Sequence, residues 1–290
     1  MCRLSYQRWS YQKMDWQRIG DEEGFYRDAL PPGWTLIFFP PSLARTSQLT
    51  PLDATERTAH HPAAGTGLEE RMWVGGSFTF PRDASPLEIG QEISSEATID
   101  SVKERTGKDG RLGWYIEQRR DIRALGATKP SVIETRTHLY RPSLPSRPSS
   151  SPAPSKPRRA GAQEDRRADF SFSFLPTAPH LLRFSALTFN THRIHWDETY
   201  CREIEHREGL IVHGPLTALM LLTRFHHALP EGMKVESFTY RATAPLVVDR
   251  RIEFKGRWDD AHKMCDLWVE GEDGTVYMRG VGTAVAAPES

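Results

Sequence analysis

Apolar and polar positions alternate along much of the chain, and the alternation is phrased twice. SFTF from Ser77 is followed by PLEIGQEI from Pro86, and SFTY from Ser237 is followed by PLVVDRRI from Pro245. Each phrase alternates aromatic and polar residues, turns at a proline and alternates again, the pattern of two antiparallel strands. The same order at similar spacing in both halves reads as a duplicated domain. Strand-like runs continue each half: GWYIEQRRDIRAL and SVIETRTHLYR in the first, KMCDLWVEGE and TVYMRGVGTAVA in the second. Glu272, Asp273 and Gly274 join the last pair as a hairpin turn. RFSALTFN, which ends at Asn190, reads as one more strand.

Residues 209–229 break the period of two. They are apolar over the length of a helix, and Pro215 suits its first turn, with Gly214 or His213 near the cap. A long apolar helix followed by antiparallel strands must bury itself against their sheet. That order suggests an α+β hotdog, a curled sheet around a central helix, although other α+β sandwiches share it. In the first half the helix must precede Arg71, where PPGWTLIFFPPSLA is apolar but rich in proline, so a reduced helix is expected.

Residues 142–157, PSLPSRPSSSPAPSKP, run on into RRAGAQEDRR and cannot build a core. The predicted organisation is an N-terminal extension over 1–25, an N-terminal hotdog over 26–142, a Pro/Ser-rich linker over 143–168 and a C-terminal catalytic hotdog over 169–288. The first fourteen residues carry Arg3, Arg8 and Lys13 and no acid, a bias of mitochondrial targeting segments. A mitochondrial location is therefore expected, with the cytoplasm as the alternative.

Lys plus Arg equals Asp plus Glu over the 290 residues, so no net field draws in nucleic acid or an anionic membrane. No apolar run is long enough to span a bilayer. Cys2, Cys201 and Cys265 are far apart and odd in number, which favours a reducing compartment over a disulfide framework. A small substrate or a protein partner is the expectation left.

Candidate chemistry gathers in FNTHRIHWD, residues 189–197. His192, His195, His206 and His213 fit no familiar zinc spacing, so no metal is expected. His195 in a polar loop, neutral near pH 7, can take and return a proton. Free N–H groups at the start of the apolar helix, at Gly214, favour a developing oxyanion. His192 is a candidate for fixing the tautomer of His195, and His213 for orienting the helix start. Asp197 reads as the cap of a short helix. Trp73, between Met72 and two glycines, is a candidate lining residue of an acyl tunnel between the halves, whereas Trp114 reads as core.

SALTFNTHRIHWDETY and GLIVHGPLTALMLL together resemble the mesaconyl-C4-CoA hydratase and hydroxyacyl-thioester dehydratase type 2 group. These are MaoC-like, R-specific enoyl-thioester hydratases with a double hotdog fold. LPPGW at Leu30, RMWVGGSFTF at Arg71 and SPLEIGQEI at Ser85 look like the group's N-terminal domain. The resemblance implies a hydro-lyase that interconverts (3R)-3-hydroxyacyl and trans-2-enoyl thioesters, or hydrates a mesaconyl-type thioester. The substrate would ride on CoA or an acyl carrier protein, with no further cofactor. His195 falls on the hydratase histidine and Gly214 on the glycine expected to bind the thioester carbonyl. The broader pattern Asp-x-Asn-Pro-x-His is altered: Asn190 stands at the aspartate, His192 at the asparagine and Arg193 at the proline. With Asn190 unable to act as an acid, His195 carries both proton transfers and Asn190 orients the hydroxyl or water. Should the substrate hold a free carboxylate, Arg193, with Arg183 nearby, is a candidate clamp, weighed against a structural salt bridge for Arg193. Two hotdogs in one chain allow a monomer as well as a homodimer. A hotdog thioesterase and a decayed acyl-thioester binding protein are the competing readings.

Overall fold

The computed structural model describes residues 7–9, 29–38, 68, 70–107, 110–142 and 167–287. Most of the predicted linker and of the N-terminal extension lies outside these residues. Among the described residues ten strands form one antiparallel sheet: β1 Gln7–Trp9, β2 Glu70–Thr79, β3 Ile93–Thr106, β4 Leu112–Ala124, β5 Val132–Arg141, β6 Phe170–Phe174, β7 Met233–Ala242, β8 Ile252–Trp258, β9 Met264–Gly271 and β10 Val276–Ala286. Their spatial order is β1-β3-β4-β5-β2-β7-β10-β9-β8-β6. The order is a palindrome of equivalents, so each half is a five-stranded copy and the copies join at β2 and β7.

The duplicated phrase sits on that join. Phe78 pairs with Phe238, its own counterpart, with Ser77 opposite Thr239 and Thr79 opposite Ser237. Ser77 Oγ bonds Thr135 Oγ1 at 2.8 Å, and Ser237 Oγ bonds Thr283 Oγ1 at the same distance. Alternation explains both facts. The phenylalanines point into the core, fully buried, while the hydroxyls on the opposite face tie each central strand to its next neighbour.

The central helix is α3, Gly214–His227, which packs on β2 and on β7 to β10. Thr217, Ala218, Leu221, Leu222 and Phe225 are its buried stripe, spaced for one helix face. Each buried leucine or phenylalanine contributes about 2 kcal/mol from its removed apolar area. Gly282 on β10 makes room for Phe225, since a Cβ there would stand 2.4 Å from Phe225 Cε1. The helix begins at Gly214 rather than at 209. Residues 209–212 instead pair with the segment between β7 and β8: Ile211 bridges Val247, and Val212 N–H donates to Leu246 O at 2.8 Å.

The N-terminal half repeats this entry in reduced form. Ala29 bridges Glu88 and Leu30 N–H donates to Leu87 O at 2.6 Å, after which α1 is only Thr35–Phe38. The short α1 packs on α2, Ala178–Thr188, and Gly33, at φ +86°, fits against Leu219 and Leu222 of α3. The reduced helix therefore joins the helical layer of the other half.

RFSALTFN is helical, contrary to its reading as a strand. It is the second part of α2, whose first turn carries Pro179 and is capped by Thr177 with His180. Leu181, Phe184 and Ser185 are buried at helical spacing, and Phe189, at φ 54°, ends the helix in the left-handed region. The 272–274 turn is as expected, with Thr275 N–H donating to Asp273 Oδ1 at 2.9 Å and Gly274 at φ +74°. Gln7–Trp9, inside the predicted extension, pair with β3 as β6 pairs with β8. Among the described residues no helix is long and apolar enough to cross a membrane.

Candidate active site

The loop after α2 is wound tightly by its own polar groups. Asn190 N–H donates to Ser185 O at 2.9 Å, and Asn190 Oδ1 accepts from His192 N–H at 3.0 Å. His192 then accepts from Ile194 N–H through Nδ1 at 3.3 Å and starts a single 3-10 turn, Arg193–His195. Asp197 caps the following turn as expected, its Oδ1 accepting from Tyr200 N–H at 2.9 Å.

The turn delivers His195 to the interior. Its Nδ1 stands 2.6 Å from Ile211 O, and Ile211 N–H in turn donates to Ile194 O at 2.8 Å. A carbonyl can only accept, so Nδ1 carries the proton and Nε2 presents its lone pair. Burial drives the histidine's pKa down to about 4, with the charges of Arg71 and Arg207 adding to the effect and the Ile211 bond opposing it. The ring is therefore neutral at pH 7.

His213, the N-cap residue of α3, lies parallel to His195 with 3.6 Å between ring centres. Its Nε2 meets Ser185 Oγ at 2.9 Å, while its Nδ1 is sealed without a partner. Burial, with the two neighbouring histidines, lowers its pKa strongly. His192 is also buried, its ring 5.9 Å from His195. Ser185 was not foreseen, because its part depends on α2 being a helix that faces His213.

No side chain caps the start of α3. The first-turn N–H groups therefore converge beside the stacked histidines, the geometry of an oxyanion site. Trp73 of the other half abuts this point, since a Cβ on Gly214 would lie 3.6 Å from Trp73 Cβ. Trp73 Nε1 donates to Tyr240 Oη at 3.0 Å, and a register shift in β2 between Trp73 and Gly75 sets its direction.

The geometry thus brings together His195, His213, His192, Gly214 and Trp73, from both halves. Arg193 goes elsewhere. Its Nε and Nη2 bond Asp197 Oδ2 at 3.0 and 2.6 Å, and its guanidinium stacks 4.4 Å from the Tyr200 ring centre. Arg183 is exposed on α2. Of the two readings of Arg193, clamp or salt bridge, the salt bridge is the one present, with an acid four residues on as its partner. Among the described residues no group of three or more His, Cys, Asp or Glu side chains could hold a metal.

The profile of hydroxyacyl-thioester dehydratase type 2 matches residues 33–248. The mesaconyl-C(4)-CoA hydratase of Chloroflexus aurantiacus is 32% identical over 258 residues, covering 86% of this chain and 81% of that protein. The mitochondrial hydroxyacyl-thioester dehydratase type 2 of Schizosaccharomyces pombe is 36% identical over 81 residues, 28% of this chain and 27% of that one. Among solved structures, a Mycobacterium tuberculosis protein with a double hotdog fold superposes with a TM-score of 0.50 at 14% identity, over 89% of this chain and 82% of that one.

Proposed function

The chain belongs to the hydroxyacyl-thioester dehydratase type 2 family, and from that membership we propose a hydro-lyase that interconverts (3R)-3-hydroxyacyl and trans-2-enoyl thioesters, with a mesaconyl-type thioester as the substrate variant. The observation that carries the reading is His195: Nδ1 is occupied by Ile211 O, Nε2 is left as a base, and the ring stands beside the uncapped start of α3.

In dehydration, His195 Nε2 takes the α proton. The electron pair of that C–H bond moves into the thioester, and the carbonyl oxygen gains negative charge beside the Gly214 N–H. Charge returns as the Cα–Cβ double bond forms and the C–O bond to the β-hydroxyl breaks. The departing oxygen takes the proton from the imidazolium and leaves as water. The low pKa of His195 keeps the base form ready at pH 7 and makes the imidazolium a strong acid for the second transfer. Asn190, its oxygen engaged by His192 N–H, offers its amide NH2 to orient the hydroxyl or water.

The acyl group arrives on CoA or an acyl carrier protein, whose thioester supplies the activation, so no cofactor enters the scheme. His195 and Gly214 belong to one half and Trp73 to the other, so a second copy is not needed to build the site. A mitochondrial setting is proposed from the S. pombe relative.

The test is the absorbance of the enoyl-thioester double bond, followed with wild type and with His195→Ala on crotonyl-, longer enoyl- and mesaconyl-C4-CoA. Loss of signal with wild type and none with the variant is the expected result. Release of free thiol instead would establish a thioesterase, and binding without reaction a carrier or binding protein.

A further inference from the structure

Strand register places a charged cluster on the core-facing side of the N-terminal half. Phe78 lies opposite Glu134, and Gly76 opposite Arg136, on β2 and β5. Arg120 lies opposite Glu134, and Gln118 opposite Arg136, on β4 and β5. These residues therefore share the face of Phe78 and Phe238, the face that carries α3 in the other half. Opposite pairs on the outer face, such as Ser77 and Thr135, point away from it.

The cluster is not internally satisfied. Arg136 Nε pairs with Glu134 Oε1, but Arg136 Nη2, Glu134 Oε2 and both Nε and Nη1 of Arg120 are sealed from solvent without a hydrogen-bond partner. Two guanidiniums share one carboxylate, so one positive charge is left over in the interior. Burial, and then the charge of Arg136, push the pKa of Arg120 down to about 9. Such a group is costly unless an anion completes it.

Its position relative to the reacting end is also given. The Arg136 guanidinium lies 5.2 Å from the Trp73 ring centre, and Trp73 abuts Gly214. The Arg136 guanidinium therefore stands one indole ring beyond the proposed seat of the thioester carbonyl, on the same side of the sheet. Arg71, on the same face of β2 opposite Tyr140, adds a further positive charge felt at His195.

We propose that Arg120 and Arg136 form a carboxylate subsite in the N-terminal half, so that the substrate is a short acyl thioester whose far end carries a second carboxylate. The inference rests on the hydratase reading above and replaces Arg193 as the clamp. The carboxylate would accept from Arg136 Nη2 and from Arg120, answering donors that now have no partner. Glu134 holds Arg136 in place and sets a limit to the site, since a second anion beside it is tolerated only with both arginines charged. A plain alkyl chain of the same length would leave those donors unanswered, which is the basis of discrimination.

The experiment compares kcat/KM for mesaconyl-C4-CoA and crotonyl-CoA in wild type and Arg120→Met. The expected result is a preference of wild type for the carboxylated substrate and a fall in the ratio on the order of 100-fold in the variant, as for a lost charge-assisted pair. An unchanged ratio, or a wild type that favours crotonyl-CoA, overturns the subsite. Calorimetric binding of succinyl-CoA against butyryl-CoA to the unaltered protein covers the case of a variant that does not fold. Tighter binding of succinyl-CoA supports the subsite, and equal binding overturns it. Because this second comparison needs no turnover, a protein that hydrates neither substrate sinks the hydratase reading while the binding pair still decides the subsite.

Discussion

The imidazoles of His195 and His213 lie face to face, 3.6 Å between ring centres and 17° between planes. Two rings this close cannot both carry charge, and burial keeps them neutral together. The stack makes His213 a wall against which His195 is held, while Ile211 O fixes the rotation of the His195 ring in its plane. In the proposed reaction His195 exchanges the proton and His213 holds its ring still.

The depressed pKa of His195 has a kinetic signature. The acid limb of kcat/KM reports the base of the free enzyme, so it should lie near the folded value of about 4, well below the ordinary 6.5. Rates flat from about pH 5.5 upward are expected. A limb at the ordinary imidazole value would show that the ring is open to water.

The same shift has a sign in stability. Between about 4 and 6.5 the unfolded chain binds a proton that folded His195 refuses. Stability therefore rises with pH through that window and is lost as pH falls through it, by about 3 kcal/mol for this group in full. Urea melts of wild type and His195→Asn, taken above and below the window, check it. The variant should gain relative to wild type on the acid side, and parallel pH profiles would count against the assignment.

His213 and Ser185 should trade stability against activity. His213 holds a sealed Nδ1 with no partner, which costs about 1–3 kcal/mol. The double variant His213→Phe with Ser185→Ala removes that atom together with both ends of the Ser185 bond and keeps an aromatic stack. Its thermal midpoint should equal or exceed that of wild type while kcat falls by about tenfold or more, the scale of a misplaced catalytic group. A stable variant with full kcat would reduce His213 to packing.

Arg193 and Asp197 should matter to the loop and not to substrate choice. The pair is partly exposed and Asp197 also caps the next turn, so Arg193→Ala should lower stability slightly and Asp197→Ala by more. Denaturant midpoints check the costs. The ratio of kcat/KM between mesaconyl-C4-CoA and crotonyl-CoA should stay put in Arg193→Ala, and a shift in it would return Arg193 to the substrate.

What could be read from the residues follows from which contacts are local. SFTF and SFTY announced the duplicated sheet because alternation is a local property of a strand with one buried face. RFSALTFN also alternates, and its helix is started upstream of that run, at Thr177, Pro179 and His180, so the run by itself does not show it. The short α1 was legible from its prolines, but its docking on the helical layer of the other half was not. Arg193 had its partner in view four residues on, and the structural salt bridge that competed with the clamp is the one that forms. Arg120, Glu134 and Arg136 look like the solvated face of two strands. Only the register with Phe78 turns that face inward.

Gly214→Ala separates the oxyanion role from the fold. An added Cβ would meet Trp73 Cβ, O and Cδ1 at 3.6, 3.6 and 3.7 Å, ordinary contacts that need no rearrangement. In the first turn of a helix alanine is favoured over glycine by up to about 1 kcal/mol, so the variant should fold at least as well as wild type. The methyl, however, occupies the gap between the helix start and Trp73, where a carbonyl must enter to reach the Gly214 N–H. A loss of about 10–100-fold in kcat/KM is expected, within the range for a spoiled oxyanion donor, with the thermal midpoint held or raised. Full activity in this variant would mean that the thioester oxygen is seated elsewhere, and the helix start would then be only the place where α3 begins.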